Sequence, residues 1–240
     1  MSATIRSPGE RPWRPTLLRD AEALLRRGAE SDSAGSSEPV PLGRRLAVLV
    51  AFGAAYGAVM GSYNEALALR PTQMLFSALK VPLMLAATFA LSLPAFFVLN
   101  TLLGLRRDLP KVVAALTATQ AGLTVILASL GPVVAFVYVS GIDYQPAILL
   151  NGLMFATASF GAQVILWRSY RGLVEANPAH RLTLRAWLVV YVFVGIQMGW
   201  ILRPFIGDPG RPTQFFRDEG LSNAYVAVFE TIRGAMGRDR

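Results

Sequence analysis

Five times between residues 46 and 202 the chain runs long enough in apolar residues to cross a bilayer, with no charged residue well inside any run. About 20 residues suffice, because a helix rises roughly 1.5 Å per residue and the hydrocarbon is about 30 Å thick. The runs are residues 46–63, 81–103, 112–140, 146–167 and 184–202. Hydrocarbon offers the backbone no water, so each run must bond internally as a helix. The expected fold is therefore all-α, an integral membrane bundle of five transmembrane helices. Composition agrees: 16% of the 240 residues are charged, against about 25% in soluble domains. Residues 1–45 then read as a cytoplasmic tail, 46–202 as the transmembrane domain and 203–240 as an extramembrane C-terminal segment.

Basic residues orient the bundle. The N-terminal tail holds eight arginines, from Arg6 to Arg45. The next connection, 64–78, holds only Arg70, with Lys80 at the start of the second run. Arg106, Arg107 and Lys111 follow, then a connection at 141–145 with none, then Arg168, Arg171, Arg181 and Arg185. This alternation places the N-terminus in the cytoplasm, and five crossings place the C-terminus outside. Lys80 and Lys111 are the only lysines, an excess of Arg that fits a bacterial inner membrane protein. The same alternation accounts for the net charge of +8 without nucleic acid as a partner.

The tails carry two helical patterns and a linker. Residues 15–27 set Leu17, Leu18, Ala21, Leu24 and Leu25 on one stripe. That segment is either a helix on a membrane surface or a partner, or a marginal helix in a disordered tail. Residues 30–41 have the composition of a flexible linker. Residues 221–236 form a second amphipathic pattern, with Tyr225, Val228, Phe229 and Ile232 on one face.

Inside the runs, small and neutral polar residues stand out. Gly53, Gly57 and Gly61 fall every fourth residue, and Gly195 and Gly199 repeat the spacing in the fifth run. Such faces let helix backbones approach closely, within the chain or between subunits. Pro94 and Gly131-Pro132 are expected to kink or break the second and third runs. Asn100, Gln120, Asn151, Gln163 and Gln197 are amides inside the runs, either interhelical packing groups or the lining of a polar path. Glu65, Lys80, Asp143 and Arg185 stand at run edges, so carriers and pumps built on mid-membrane charges are disfavoured.

Catalytic and cofactor chemistry find little to work with. Cysteine is absent and His180 is the only histidine, expected in a solvated loop beside Pro178. No pair of buried carboxylates and no glycine-rich phosphate loop occurs. The chain is expected to be neither an enzyme nor a cofactor or metal protein. Its expected partners are the lipid bilayer and a membrane-protein partner or second copy.

After the fifth run, Gly199-Trp200-Ile201-Leu202-Arg203-Pro204-Phe205-Ile206-Gly207 is followed by Pro209 and Phe215-Phe216-Arg217. Trp200 and Arg203 suit the membrane–water boundary as anchors. The motif resembles a C-terminal signature of a family of bacterial polytopic membrane proteins. The layout is also similar to that of Yip1-type proteins, in topology alone. Neither resemblance implies an activity. Two functions stay open: a non-enzymatic subunit of a membrane assembly, binding partners through the Gly53–Gly57–Gly61 face, the C-terminal segment and the N-terminal helix, or a channel or facilitator for a small neutral solute.

Overall fold

The computed structural model describes residues 16–27, 40–63, 70–208 and 210–216. They hold the helices α1 (Thr16–Arg27), α2 (Leu42–Gly61), α3 (Pro71–Leu102), α4 (Leu109–Val139), α5 (Tyr144–Ala176) and α6 (Ala179–Ile201). Helices α2 to α6 are each long and apolar enough to cross a membrane, and the protein is a multi-pass membrane protein with an all-α fold. Residues 221–236, most of the 30–41 linker and Glu65 lie outside the described residues.

The helices outrun the apolar stretches, because a helix continues into water at no cost to its backbone bonds. Residues 71–80, read above as mostly loop, are the first turns of α3. With 32 residues, α3 is about 48 Å long. Lys80, the tenth of them, therefore stands near the hydrocarbon edge rather than beyond it. The expected breaks do not occur: α3 runs through Pro82 and Pro94, and α4 through Gly131-Pro132. Each proline forfeits one backbone bond, whereas leaving the helix in lipid would strip several. The chain turns instead where water is available, at Gly104 (φ +71°) and Gly141 (φ +83°). At the first, the amides of Gly104 and Leu105 bond back to Thr101 and Asn100, the paired closure that a left-handed glycine allows.

Helix α2 is the middle of the bundle and packs on both α3 and α4. Helix α6 packs on α3 and α5 packs on α4, while α5 and α6 meet only towards the basic end. In cross-section the order is α6, α3, α2, α4, α5, a horseshoe whose gap lies between α5 and α6. One end of the bundle carries Arg44, Arg45, Arg106, Arg107, Lys111, Arg168, Arg171, Arg181 and Arg185, and is called the basic end below. The opposite, far end carries the α4–α5 turn and residues 203–208.

The glycines place the seam between α2 and α3. A Cβ on Gly57 would overlap the Ser77 carbonyl and stand 2.8 Å from the Ala78 Cα. One on Gly61 would stand 2.7 Å from the Gln73 oxygen and 2.8 Å from the Met74 Cα. Both neighbours are backbone and cannot yield. Gly53 is looser, with Pro82 and Thr124 at ordinary contact distance. The face that sequence offered to a partner subunit is therefore covered by α3 of the same chain. The two glycine faces do not meet each other either. Gly195 and Gly199 look onto Thr88 and Met84 of α3, at 3.5 and 3.8 Å from an added Cβ.

Both ends are tied by polar side chains. At the far end, Arg70 just ahead of α3 and Gln73, Ser77 and Lys80 on one stripe of it donate to carbonyls of the segment after α6. Lys80 Nζ reaches Pro204 O at 2.7 Å, and Gln73 Nε2 and Ser77 Oγ both reach Phe205 O. Arg70 donates to Asp208 O and Arg211 O at 3.0 and 3.3 Å. Ile206 is buried in the main core with Tyr63, Val81 and Leu127. Residues 203–208 thus pack on the bundle, and Lys80, which sequence placed at an edge, is fully buried and 4.9 Å above the Phe215 ring.

At the basic end, α1 is a folded helix. Its Ala21 and Leu24 pack against Val48 and Ala121 of the bundle, while Leu18 stays exposed. Buried Asp20 faces Arg44 at 3.5 Å. Its stripe is thereby partly spent on this chain's own α2 and α4. His180, expected in a solvated loop, is instead the second residue of α6 and fully buried, with Nε2 3.3 Å from Asp108. The loop is shorter than the apolar run suggested, because α6 begins at Ala179 rather than at residue 184.

Candidate functional site

Two cavities occupy the gap of the horseshoe and share Met84 and Phe155 as walls. The larger, about 530 Å³, lies at the far end. Met60, Met84, Phe155 and Ile206 make it apolar, and Asn151, Trp200 and Arg203 stand on its wall. The second, about 290 Å³, is deeper, and every side chain lining it is uncharged. Thr88, Thr119, Gln120, Ser159, Gln163 and Tyr191 bring hydroxyls and amides into it from α3, α4, α5 and α6. These six lie near the middle of their helices, hence near mid-bilayer. Volumes of this size are in the range of small-molecule sites.

The helical repeat explains the convergence. Ser159 and Gln163 are four residues apart on α5 and share a face. On α4, Thr119 ties its hydroxyl back to Ala115 O at 2.9 Å, while Gln120 reaches out to α6. There Tyr191 Oη donates to Gln120 Oε1 at 2.8 Å, so the amide nitrogen of Gln120 remains as its donor. Gln163 Oε1 is buried in the cavity wall, with almost no accessible surface, and has no hydrogen-bond partner; Asn100 Oδ1 and Gln73 Oε1 are in the same state elsewhere in the bundle. A carbonyl in that state has lost its water and gained nothing in exchange. What it lacks is a donor.

The expected amides divide into two kinds. Gln120 and Gln163 share the deep cavity. Asn151 touches the outer one, but its side chain is committed. Its Oδ1 accepts from Tyr56 at 3.0 Å, and its Nδ2 donates to Tyr138 Oη at 2.6 Å and Ala147 O at 2.8 Å. It joins α2, α4 and α5 as packing. Asn100 turns back onto Phe96 O of its own helix at 2.9 Å, near the basic end. Gln197 is half-buried on α6 and outside both linings. The five amides offered as packing groups or a polar path therefore do not converge on one place. Trp200 and Arg203 do pair, with the guanidinium 3.5 Å over the indole at the rim of the outer cavity. Arg203 stacks there rather than reaching straight for water.

Thr88, Ser159 and Tyr191 are the lining residues that sequence reading passed over. The Ser159–Gln163 spacing was a usable signal for one of them. Tyr191 carried none, because in a span it reads as one more aromatic.

Towards the basic end the deep cavity is closed. Leu116, Leu166 and Trp187 form its floor, and Phe96, Val112, Tyr170 and Leu184 pack behind them. Among the described residues, no three His, Cys, Asp or Glu side chains gather to hold a metal ion. No family model, no curated protein and no solved structure matches this chain.

Proposed function

We propose that this membrane protein binds, and lets across, a small uncharged polar molecule, using the deep cavity between α3, α4, α5 and α6. The observation that carries the reading is a mid-helix cavity to which four helices bring six neutral hydrogen-bonding side chains, with Gln163 Oε1 unpartnered in its wall. Such a lining replaces the water shell of a hydroxyl or amide solute, and it offers an ion no countercharge. The reading is of a binding protein or facilitator rather than an enzyme. With the basic end in the cytoplasm of a bacterial inner membrane, by the positive-inside rule, the cavities connect outwards and the Leu116–Leu166–Trp187 floor is an inward gate.

A subunit role resting on the Gly53–Gly57–Gly61 face is not carried forward, because α3 occupies that face.

The test is solute-driven swelling of proteoliposomes across a panel of uncharged polyols and amides, with Gln163→Leu as the matched control. Faster entry of at least one solute, lost in the variant, is expected. Entry no faster than in empty liposomes for the whole panel, together with no binding of an uncharged polar headgroup, would reject the reading.

A further inference from the structure

The gap between α5 and α6 faces outwards, to what is lipid in a membrane. Its rim is apolar or small: Ile148, Gly152 and Ala156 on α5, Val192 and Ile196 on α6, all exposed on the bundle surface. An added Cβ on Gly152 meets nothing within 4 Å. Behind this slot the polarity is the reverse of a bilayer's, because the outer cavity is mostly apolar and the neutral polar groups sit at mid-depth. A water-borne solute would have to cross the apolar part first. A molecule whose chain stays in the lipid beside the slot would not.

We infer that the ligand of the deep cavity is a bilayer amphiphile with an uncharged, hydroxyl- or amide-bearing headgroup. It enters sideways between α5 and α6, leaving its chain in the bilayer. On binding, the Gln163 amide turns its Oε1 into the cavity to accept from the headgroup, which accepts from Gln120 Nε2, so a group that would lose its water in hydrocarbon finds both kinds of partner. A charged headgroup finds no countercharge at that depth. This inference rests on the reading of the deep cavity given above and adds the class of ligand and its route.

The experiment uses the full chain in proteoliposomes containing a photoreactive monoacylglycerol, with a photoreactive fatty acid as the charged counterpart. Glycerol swelling is measured in parallel as the soluble source of the same hydroxyls. Strong labelling of α5 and α6 by the monoacylglycerol is expected. Ala156→Trp, which fills the slot, and Gln163→Leu should each lower it about tenfold, the scale of a lost anchoring contact. Val50→Trp, on the exposed side of α2 at the back of the horseshoe, should leave it unchanged. Gly152→Phe stands in if Ala156→Trp does not give a monodisperse protein.

Glycerol entry lost in Gln163→Leu but kept in Ala156→Trp, without lipid labelling, would overturn the sideways route and leave the proposed function standing. Neither labelling nor glycerol entry would overturn both. Equal labelling by the fatty acid, indifferent to Gln163→Leu, would show an acyl chain lodged in the gap and would overturn the headgroup assignment.

Discussion

Two helix pairs in this bundle meet in opposite ways. Between α2 and α3 the backbones press together at Gly57 and Gly61, with no room for one more carbon. Between α5 and α6 contact is confined to the basic end, where Tyr170 meets His180, and beyond it cavities of about 530 and 290 Å³ lie in the gap. Lipid does not squeeze helices together as water does, so a membrane contact is as tight as its side chains allow. Close packing at α2–α3 makes a rigid spine. The gap at α5–α6 gives up such packing for space, lined by neutral polar side chains. In a protein of this kind, the loosely packed pair is where binding is to be sought.

The sharpest way to break the comparison is Gly57→Leu. Because the obstacle is the α3 backbone, we expect a loss of about 3 kcal/mol or more, above the usual range for overpacking. Thermal melting followed by size exclusion measures it. An unshifted melting curve with a monodisperse peak would mean that the seam is not closed as described.

Lys80→Met comes next. It leaves the Pro204 carbonyl without its charged donor, at a cost of about 1.5–3 kcal/mol. Hydrogen exchange should rise at residues 203–208 while the α2–α3 seam stays protected. Uniform loosening of the whole bundle, or none, would show that this segment is not held by the α3 stripe.

Gln163→Leu is expected to move stability the other way. Removing an acceptor that has no partner should be neutral or stabilising by up to about 1 kcal/mol, while ligand binding is lost. A clear destabilisation would show that Gln163 is structural and would weaken the site.

The smallest effect is reserved for Gly199→Ala. Its added methyl meets Met84 Sδ at 3.8 Å, an ordinary contact. The change should be neutral or stabilising by at most about 1 kcal/mol, since glycine is the costlier residue in a helix. The melting curve of this variant beside that of Gly57→Leu tests whether identical spacing in two helices carries different meaning.

That spacing marks the limit of sequence reading here. Gly57 and Gly199 look alike on paper, yet one touches backbone and the other a flexible thioether. The difference lies in the neighbour, and no local pattern names a neighbour. Asn151 and Gln163 form a similar pair: both are amides in the same helix, one with its hydrogen-bond partners supplied and the other with an acceptor unmet. His180 was misjudged in both element and burial, and the edge position of Lys80 did not tell that it is buried. Whether a helix end is covered depends on what folds back over it, here the α3–α4 turn and residues 203–208.

What the sequence determined by itself was the number of spans, their helical state and the distribution of charge between the two ends. Those follow from the thickness of hydrocarbon, the lack of water within it and the positions of arginine, all local to each segment. Only the tertiary structure decided which glycines are indispensable, which amides have no partner and which two helices stand apart. Those are properties of pairs of segments distant in the chain, and in a bilayer they are set by shape and hydrogen bonding rather than by hydrophobicity, which is nearly the same on every face.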